Sequence, residues 1–172
     1  MREKIIAKYI ENKEVLDIGS VGQTSEYNLW DFLEKHTNNL TGIDTQPSSD
    51  SRIVAGNMES YNFNRQFDAI IAGDVLEHVD NQGLFLNNVK KHLKKDGHFI
   101  LTTPNAKWFT VALRPNPTHT LWHDKYTLSR ILNRCGFDVI FFKYYPGNKR
   151  HNFLKKIVVF RQGMIAVCKK II

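Results

Sequence analysis

Several polar and small residues in this sequence directly follow apolar stretches, where they could bind a ligand together. They are Asp17 and Gly19, Asp44, Gly56 and Asn57, Gly73 and Asp74, and Thr102 and Thr103. If the apolar stretches are parallel strands, their carboxyl ends meet at one edge of the sheet, which is where open α/β folds bind their ligands. The sequence therefore predicts one binding edge, suited to an extended nucleoside.

The residue types at this edge each match a part of a nucleoside. Gly19 and Gly22 lack a Cβ atom, so the backbone there can turn sharply and approach a ligand closely. Asp44 offers two acceptor oxygens to the paired hydroxyls of a ribose. Asn57 can bond the edge of an adenine, and Met58 offers an apolar wall to its flat face. A tight turn or a solvated loop explains each residue alone, so the prediction depends on their combination.

The elements that must position these residues follow a βαβ pattern, because apolar runs of strand length alternate with runs of helix length. The predicted strands are residues 15–18, 40–44, 52–55, 67–72, 98–102, 137–145 and 164–168. The predicted helices are residues 2–10, a helix capped by Thr24 or Ser25, residues 82–93, 127–135 and a short one at 151–160. The last two strands suggest an antiparallel pair at the end of an otherwise parallel sheet.

Two local features refine this pattern. Residues 45–51 contain Pro47 and three serines, which predicts a loop where a doubly wound fold often has a helix. Asp96 and Gly97 predict a turn that leads into the strand at 98–102.

Length and composition are those of one globular domain over residues 1–172. The chain is 42% apolar and 24% charged, and this length suits a single hydrophobic core. Cys135 and Cys168 lie within apolar patterns, which argues against a disulfide scaffold or a cysteine-rich zinc site. No apolar run approaches the roughly 20 residues that cross a bilayer, and the start lacks the apolar core of a signal peptide. We therefore expect a cytoplasmic protein.

The net charge of +7 is concentrated in the C-terminal part of the chain. Residues 139–172 carry 8 basic residues and no acidic one, whereas residues 1–138 carry 16 basic and 17 acidic residues. A solvated basic face is the simplest interpretation. The alternative is peripheral contact of residues 146–172 with an anionic membrane. No arginine-rich run or recognisable module supports nucleic-acid binding, and nothing in the sequence defines an oligomeric state.

Four segments, in this order and spacing, resemble the class I S-adenosylmethionine-dependent methyltransferases. They read VLDIG at 15–19, GID at 42–44, FDAIIAGDVLEHV at 67–79, and LKKDG at 93–97 followed by TTPN at 102–105. The resemblance covers residues 13–140 and is closest to a small branch similar to the ubiquinone-pathway O-methyltransferases. It implies an α/β fold with a doubly wound, mostly parallel, seven-stranded Rossmann-like sheet, an antiparallel last strand and three α/β/α layers. It also implies methyl transfer from a sulfonium to a nucleophile.

The same resemblance implies a set of residues that bind S-adenosylmethionine and its product S-adenosylhomocysteine. The set is Asp17, Gly19, Ser20, Gly22, Asp44, Asn57, Met58, Gly73 and Asp74. Asp17 and Gly19 would line the methionine part, Gly73 would hold its amino-acid end through the backbone, and Asp74 would face the reaction centre. The sequence departs from the family's glycine-rich loop, because Val21 and Gln23 stand where the family has glycines.

Methyl transfer requires that donor and acceptor be held in line and away from water, and it needs no covalent nucleophile. A hydroxyl acceptor benefits from losing its proton, which a histidine can accept. We expect O-methylation of a small-molecule or lipid-like acceptor, with Asp74, His78 and His123 as catalytic candidates and His119 as a further base candidate.

The resemblance also raises the question of a metal ion. In the ubiquinone-pathway enzymes, an acid-x-x-Glu-His segment similar to the one from Asp74 to His78 can hold a divalent cation. We expect instead that Glu77 and His78 precede and cap the next helix, and we predict no metal site. His119 and His123 are four residues apart but lie in a predicted loop, so a shared zinc ion is not expected.

Residues 105–126 interrupt the βα pattern and are predicted to form an acceptor-side insertion or lid. Their aromatic side chains could exclude water, although Trp108 and Phe109 are equally suited to packing the insertion on the sheet.

Two other functions remain open. One is an NAD(P)-dependent oxidoreductase, because Asp44 suits a nicotinamide cofactor's ribose too, although the three-glycine fingerprint is absent. The other is a non-catalytic pseudo-enzyme that binds a nucleotide or docks on a membrane.

Overall fold

A seven-stranded sheet forms the centre of the computed structural model, which describes residues 1–22, 28–113, 115–146 and 161–171. The strands are β1 (Glu14–Ile18), β2 (Asn39–Asp44), β3 (Ile53–Ala55), β4 (Phe67–Gly73), β5 (Leu93–Pro104), β6 (Phe137–Tyr145) and β7 (Gly163–Lys170). Their order in the sheet is β3-β2-β1-β4-β5-β7-β6. Only β7 runs antiparallel to its neighbours, β5 and β6. The predicted mixed sheet is confirmed.

Helices cover both faces of the sheet, which gives the predicted three layers. They are α1 (Arg2–Ile10), α2 (Leu29–Glu34), α3 (Gln82–His92), α4 (Phe109–Ala112) and α5 (Lys125–Arg134), with a 3₁₀ turn at Leu76–His78. Ile6 of α1 and Leu33 of α2 pack in one apolar cluster with Val15 of β1. The next residue, Leu16, belongs to the opposite cluster, together with Phe85 of α3. Neighbouring strand residues point to opposite faces, so a continuous apolar strand supplies both cores.

The strand order reverses at β1, and this reversal locates the binding edge. β1 pairs with β2 on one side and with β4 on the other, so that Ile18 lies beside both Ile43 and Ala72. The loops that leave these three strands therefore start next to one another. In open α/β sheets, such a switch point forms the crevice that accepts a ligand.

The structure differs from the sequence predictions in two local details. The N-cap of α2 is Asn28, whose side chain accepts a hydrogen bond from the Asp31 amide, while Thr24 and Ser25 lie outside the described residues. Strand β5 begins at Leu93, so the predicted turn at Asp96 and Gly97 lies inside an irregular part of that strand. The register between β4 and β5 shifts at this point, so the strand is irregular where the sequence predicted a turn.

Other predictions for the chain are confirmed or lie outside the described residues. Residues 45–51 form a loop without a helix, as predicted. The predicted helix at 151–160 and most of the basic C-terminal segment are not among the described residues. Within the described parts of the chain, every helix is too short or too polar to cross a bilayer.

Candidate functional site

The turn after β1 is held by a glycine in a conformation that other residues rarely adopt. Gly19 has φ +82°, and a Cβ atom built on it would lie 2.6 Å from Cγ2 of Val75. This places the first loop in direct contact with the loop after β4. Asp17 is fully buried, and the Ser20 hydroxyl donates to its backbone carbonyl. The predicted cofactor residues of this loop therefore lie together at the switch point.

Asp44, at the end of β2, is fixed in orientation by two backbone amides. Val21 donates to its Oδ2 and Gln46 donates to its Oδ1, both at 2.9 Å. A carboxylate has about four acceptor positions, so two amides leave it able to bind two ribose hydroxyls. The amide of Val21 also joins Asp44 to the loop that follows β1. This pre-oriented carboxylate beside a close-approach glycine fits the ribose of the expected cofactor.

Asn57 and Met58 lie in the next loop, and their side chains face different surroundings. Asn57 is exposed, and its Oδ1 accepts the Glu59 amide, which stabilises the turn. Met58 is buried in the core cluster beside the site. The contacts of both residues with an adenine remain predictions.

Strand β4 ends at Gly73, which pairs with Thr102 of β5, and the following loop starts with Asp74 in a left-handed conformation (φ +55°). The hydroxyl of Thr102 donates to Asp74 Oδ1 at 3.0 Å, and Arg2 donates to Oδ2 at 2.9 Å. The Tyr145 hydroxyl lies 3.3 Å from Oδ1 as a further donor. Burial raises the pKa of Tyr145, which keeps it a donor at neutral pH. Because both oxygens of Asp74 are occupied by donors, its arrangement suits orientation better than proton transfer.

A cluster of three ionisable side chains lies beside Asp74. Glu77 and His78 come from the 3₁₀ turn and His119 from the insertion, and one ligand atom of each lies within 4.8 Å of the others. Burial, followed by the charge of Asp74, raises the pKa of Glu77 to about 8. Burial and the neighbouring His78 lower the pKa of His119. No sequence pattern groups His119 with the other two residues.

The predicted capping role of Glu77 and His78 is wrong. Helix α3 is capped by Asn81, whose side chain accepts the Leu84 amide. Glu77 is only 2% exposed, and its Oε2 has no hydrogen-bond partner among the described residues. A buried acceptor without a partner is costly, so capping does not explain this carboxyl group. The donor set and the unpartnered oxygen both fit the divalent cation that the family resemblance implies.

His123 occupies a different position from the other candidate histidines. It is 7% exposed, and its Nε2 lies 3.0 Å from Oε1 of Gln82 on α3. Gln82 in turn donates to the carbonyl of Leu76. Burial lowers the pKa of His123, which favours its neutral form. These contacts join the insertion to α3, and a direct catalytic role for His123 remains a prediction.

The insertion is anchored at both ends and exposes apolar side chains between them. At its start, the Asn105 amide donates to the carbonyl of Gln162 next to β7. At its end, Lys107 forms an ion pair of 2.6 Å with Asp124, the N-cap of α5. Phe109, Leu113 and Leu121 are exposed large apolar side chains of this segment.

Arg2 and Tyr145 were missed by the sequence reasoning, although they contact a predicted site residue. Arg2 also lies over the Tyr145 ring, with its guanidinium carbon 5.4 Å from the centroid. These residues are 143 positions apart, and no local pattern relates them. The only sequence signal was that a helix antiparallel to β1 brings its first residue to the carboxyl edge of the sheet.

Comparison with known sequences gives one family match and distant curated relatives. A family model described as a methyltransferase domain matches residues 2–141. A ubiquinone biosynthesis O-methyltransferase of Rickettsia canadensis is 27% identical over 114 residues, which are 60% of this chain and 48% of that protein. The chain thus spans about half the length of the curated relatives it matches.

Comparison with solved structures supports the same fold over nearly the whole chain. A SAM-dependent methyltransferase from Archaeoglobus fulgidus superposes with a TM-score of 0.75 and 16% identity, covering 98% of this chain and 91% of that one. A 1,6-didemethyltoxoflavin N1-methyltransferase from Burkholderia thailandensis, solved with S-adenosylhomocysteine, has a TM-score of 0.72 and 17% identity. That match covers 99% of this chain and 76% of the other.

Proposed function

Because this chain belongs to the methyltransferase domain family, we propose that it transfers the methyl group of S-adenosylmethionine to a hydroxyl group of a small, largely apolar acceptor. The observation that carries this proposal is the position of Asp44. Its carboxylate is oriented by Val21 and Gln46 at the switch point, and only β1 separates its strand from β4, whose following loop holds Glu77 and His78. The family match favours methyl transfer over the hydride transfer that the sequence left open.

In the proposed complex, the donor lies across the carboxyl ends of β1, β2 and β4. Asp44 accepts the two ribose hydroxyls, and the turn at Gly19 lets the backbone approach the methionine part. Gly73 holds the amino-acid end, while Asn57 and Met58 contact the adenine. Asp74 acts as a positioning residue that holds Arg2 and Tyr145 at the edge of the reaction centre.

The reaction breaks the bond between the sulfonium and the methyl carbon and forms a bond from that carbon to the acceptor oxygen. The hydroxyl proton must leave, and His78 is the proposed activating residue. Its Nδ1 lies 3.1 Å from the Thr118 carbonyl, so a proton on Nδ1 leaves a lone pair on Nε2. This nitrogen can take the acceptor proton or bind a cation. A divalent cation held by Glu77 and His78 would lower the pKa of a hydroxyl bound to it.

The exposed apolar side chains of the insertion favour an apolar acceptor. Phe109, Leu113 and Leu121 expose large apolar surfaces, and the backbone of residues 118–121 contacts the 3₁₀ turn that carries His78. The curated relatives named above are O-methyltransferases, which supports oxygen as the acceptor atom. The Burkholderia structure is of an N-methyltransferase, so nitrogen is the second candidate, and a histidine base is needed less for an amine.

Turnover of labelled S-adenosylmethionine would test the proposal. We expect methylation of at least one compound in a panel of apolar phenols and catechols, and little with matched anilines. We expect His78→Ala to lower the rate at least tenfold without changing the affinity for S-adenosylhomocysteine, and His36→Ala, a distant histidine on α2's C-terminal side, to leave both unchanged.

Two results would contradict the proposal. Methylation of the anilines alone would show that the acceptor atom is nitrogen rather than oxygen. Binding of S-adenosylhomocysteine without methyl transfer to any compound of the panel would favour the pseudo-enzyme.

A further inference from the structure

His119 lies in a loop, but its position next to Glu77 is fixed by the backbone. The amide of the following residue, Thr120, donates to the Glu77 carbonyl at 2.8 Å. The Thr120 hydroxyl lies 2.9 Å from the Val79 carbonyl and 3.1 Å from that of Glu77. The ring of His119 packs edge-on against that of His78, with centroids 4.7 Å apart. The insertion therefore delivers this imidazole to the 3₁₀ turn in a defined place.

Each of the three side chains has an atom that is available as a metal ligand. Oε2 of the buried Glu77 and Nδ1 of His119 are buried and have no hydrogen-bond partner among the described residues. His78 directs Nδ1 to the Thr118 carbonyl, an arrangement that metal-binding histidines commonly use to fix the tautomer and orient the ring. One ligand atom from each of the three side chains lies within 4.8 Å of the other two.

We propose that His119 is the third protein ligand of a divalent metal site with Glu77 and His78, and that this ligand set selects a transition metal such as zinc or cobalt over magnesium. Two imidazoles and one carboxylate are the ligands that transition metals prefer, whereas magnesium prefers carboxylates, carbonyls and water. The family resemblance implies a cation only at the acid-x-x-Glu-His segment. The contribution of the insertion, and the metal preference that follows from it, are properties of this chain.

This site gives the insertion a role in the proposed function, on which the inference rests. Three protein ligands leave a position that an acceptor oxygen can occupy. Because one ligand comes from the insertion and two come from the loop after β4, the ion would join the acceptor side to the donor side. With His78 as a ligand, the cation would lower the pKa of a bound acceptor hydroxyl, and the hydroxyl proton would leave to solvent water rather than to His78.

Metal titration of the full chain after treatment with a chelator tests the proposal. By calorimetry we expect one site for Zn²⁺ and for Co²⁺, with an affinity at least about a hundredfold above that for Mg²⁺. His119→Ala should lower the Zn²⁺ affinity at least about tenfold. The matched control, His36→Ala, should leave it unchanged, because His36 bonds the Phe32 carbonyl on α2 and lies outside the cluster.

A second measurement does not depend on any variant. Pulsed electron paramagnetic resonance of the Cu²⁺-loaded wild-type chain should detect two coordinated imidazoles. One imidazole or none would overturn the role of His119, as would Zn²⁺ affinity that is unchanged in a folded His119→Ala variant. Equal affinity for Mg²⁺ and Zn²⁺ would overturn the metal preference.

The failure of this inference and that of the proposed function are distinguishable. S-adenosylhomocysteine binding is measured on the same chelated samples, and we expect it to be independent of the metal. A chelated chain that does not bind S-adenosylhomocysteine would count against the proposed function. A chain that binds S-adenosylhomocysteine but has no metal site would count against this inference alone.

Discussion

At the scale of single residues, the chemistry of this edge depends on groups that are already oriented before a ligand arrives. Asp44 has both oxygens bonded by backbone amides, and Asp74 is held by Thr102, Tyr145 and Arg2. A fixed acceptor loses little freedom when a ligand binds, so its hydrogen bonds contribute more fully to affinity.

Replacement of Asp44 tests the ribose contact. Asp44→Ala removes two charge-assisted hydrogen bonds worth about 1.5–3 kcal/mol each, so the affinity for S-adenosylhomocysteine should fall at least tenfold. Titration calorimetry measures this change. Asp50→Ala in the same loop is the control, since Asp50 bonds Arg52 and should not affect binding. An affinity equal to that of the wild type would remove Asp44 from the site.

Replacement of Gly19 tests the close contact between the two loops. Gly19→Ala should lower the free energy of unfolding by about 1–2 kcal/mol, because φ is +82° and the new methyl group would meet Val75 at 2.6 Å. Gly83→Ala is the matched control, since Gly83 lies in α3 and its nearest neighbour would be 3.4 Å away. That change should be neutral or stabilising. Urea unfolding of both variants checks this prediction, and equal stability would contradict it.

At the scale of elements, α5 and the insertion depend on one residue, Asp124. Its side chain accepts the Thr127 amide, its backbone amide bonds the Thr127 hydroxyl, and Lys107 forms an ion pair with it. The hydrogen bond from Lys107, followed by that from Thr127, lowers the pKa of Asp124 to about 2. The helix start and the anchoring of the insertion are thus coupled.

Asp124→Ala should lower the free energy of unfolding by about 1–2 kcal/mol at pH 7, because a helix cap is lost. A lowered pKa in the folded state gives stability that is present above the unfolded value of about 3.9 and is lost as the pH falls towards 2. The difference between variant and wild type should therefore shrink between pH 4 and pH 2. Chemical denaturation across this range measures it, with Asp96→Ala at an exposed position as the control. A difference independent of pH would contradict the ion-pair contribution.

At the scale of the whole molecule, the strand order brings loops from distant parts of the sequence into one site. β1 lies between β2 and β4, so residues 17–22, 44 and 73–78 meet at one edge, while β7 closes the other half of the sheet against β5. A ligand that contacts all these loops binds only the folded chain and stabilises it as a unit.

S-adenosylhomocysteine at about 100 times its Kd should stabilise the chain by about 2.7 kcal/mol, which corresponds to an increase in Tm of about 5–10 °C. NAD⁺ at the same concentration should leave Tm unchanged. Thermal unfolding followed by circular dichroism checks both expectations. An increase with NAD⁺ alone would restore the oxidoreductase hypothesis.

The sequence by itself determined the elements and the edge of the sheet at which most of the proposed donor-binding residues lie. Alternating apolar runs define strands and helices locally, and residues at strand ends, such as Gly19, Asp44 and Gly73, must reach the same edge in any parallel sheet. The antiparallel pair at the end, Phe137–Tyr145 with Gly163–Lys170, followed from two strand patterns at the C-terminal end of the chain, separated by Pro146, Gly147 and a basic stretch with a predicted short helix.

Only the tertiary structure decided which side chains meet on the acceptor side. Arg2 and Tyr145 reach Asp74 from opposite ends of the chain, and His119 joins Glu77 through backbone hydrogen bonds of an irregular loop. Such contacts depend on packing between elements far apart in sequence, and a loop without periodicity carries no signal of where it will lie. The sequence therefore predicted which edge of the sheet carries the candidate site, whereas packing determined which side chains meet on the proposed acceptor side.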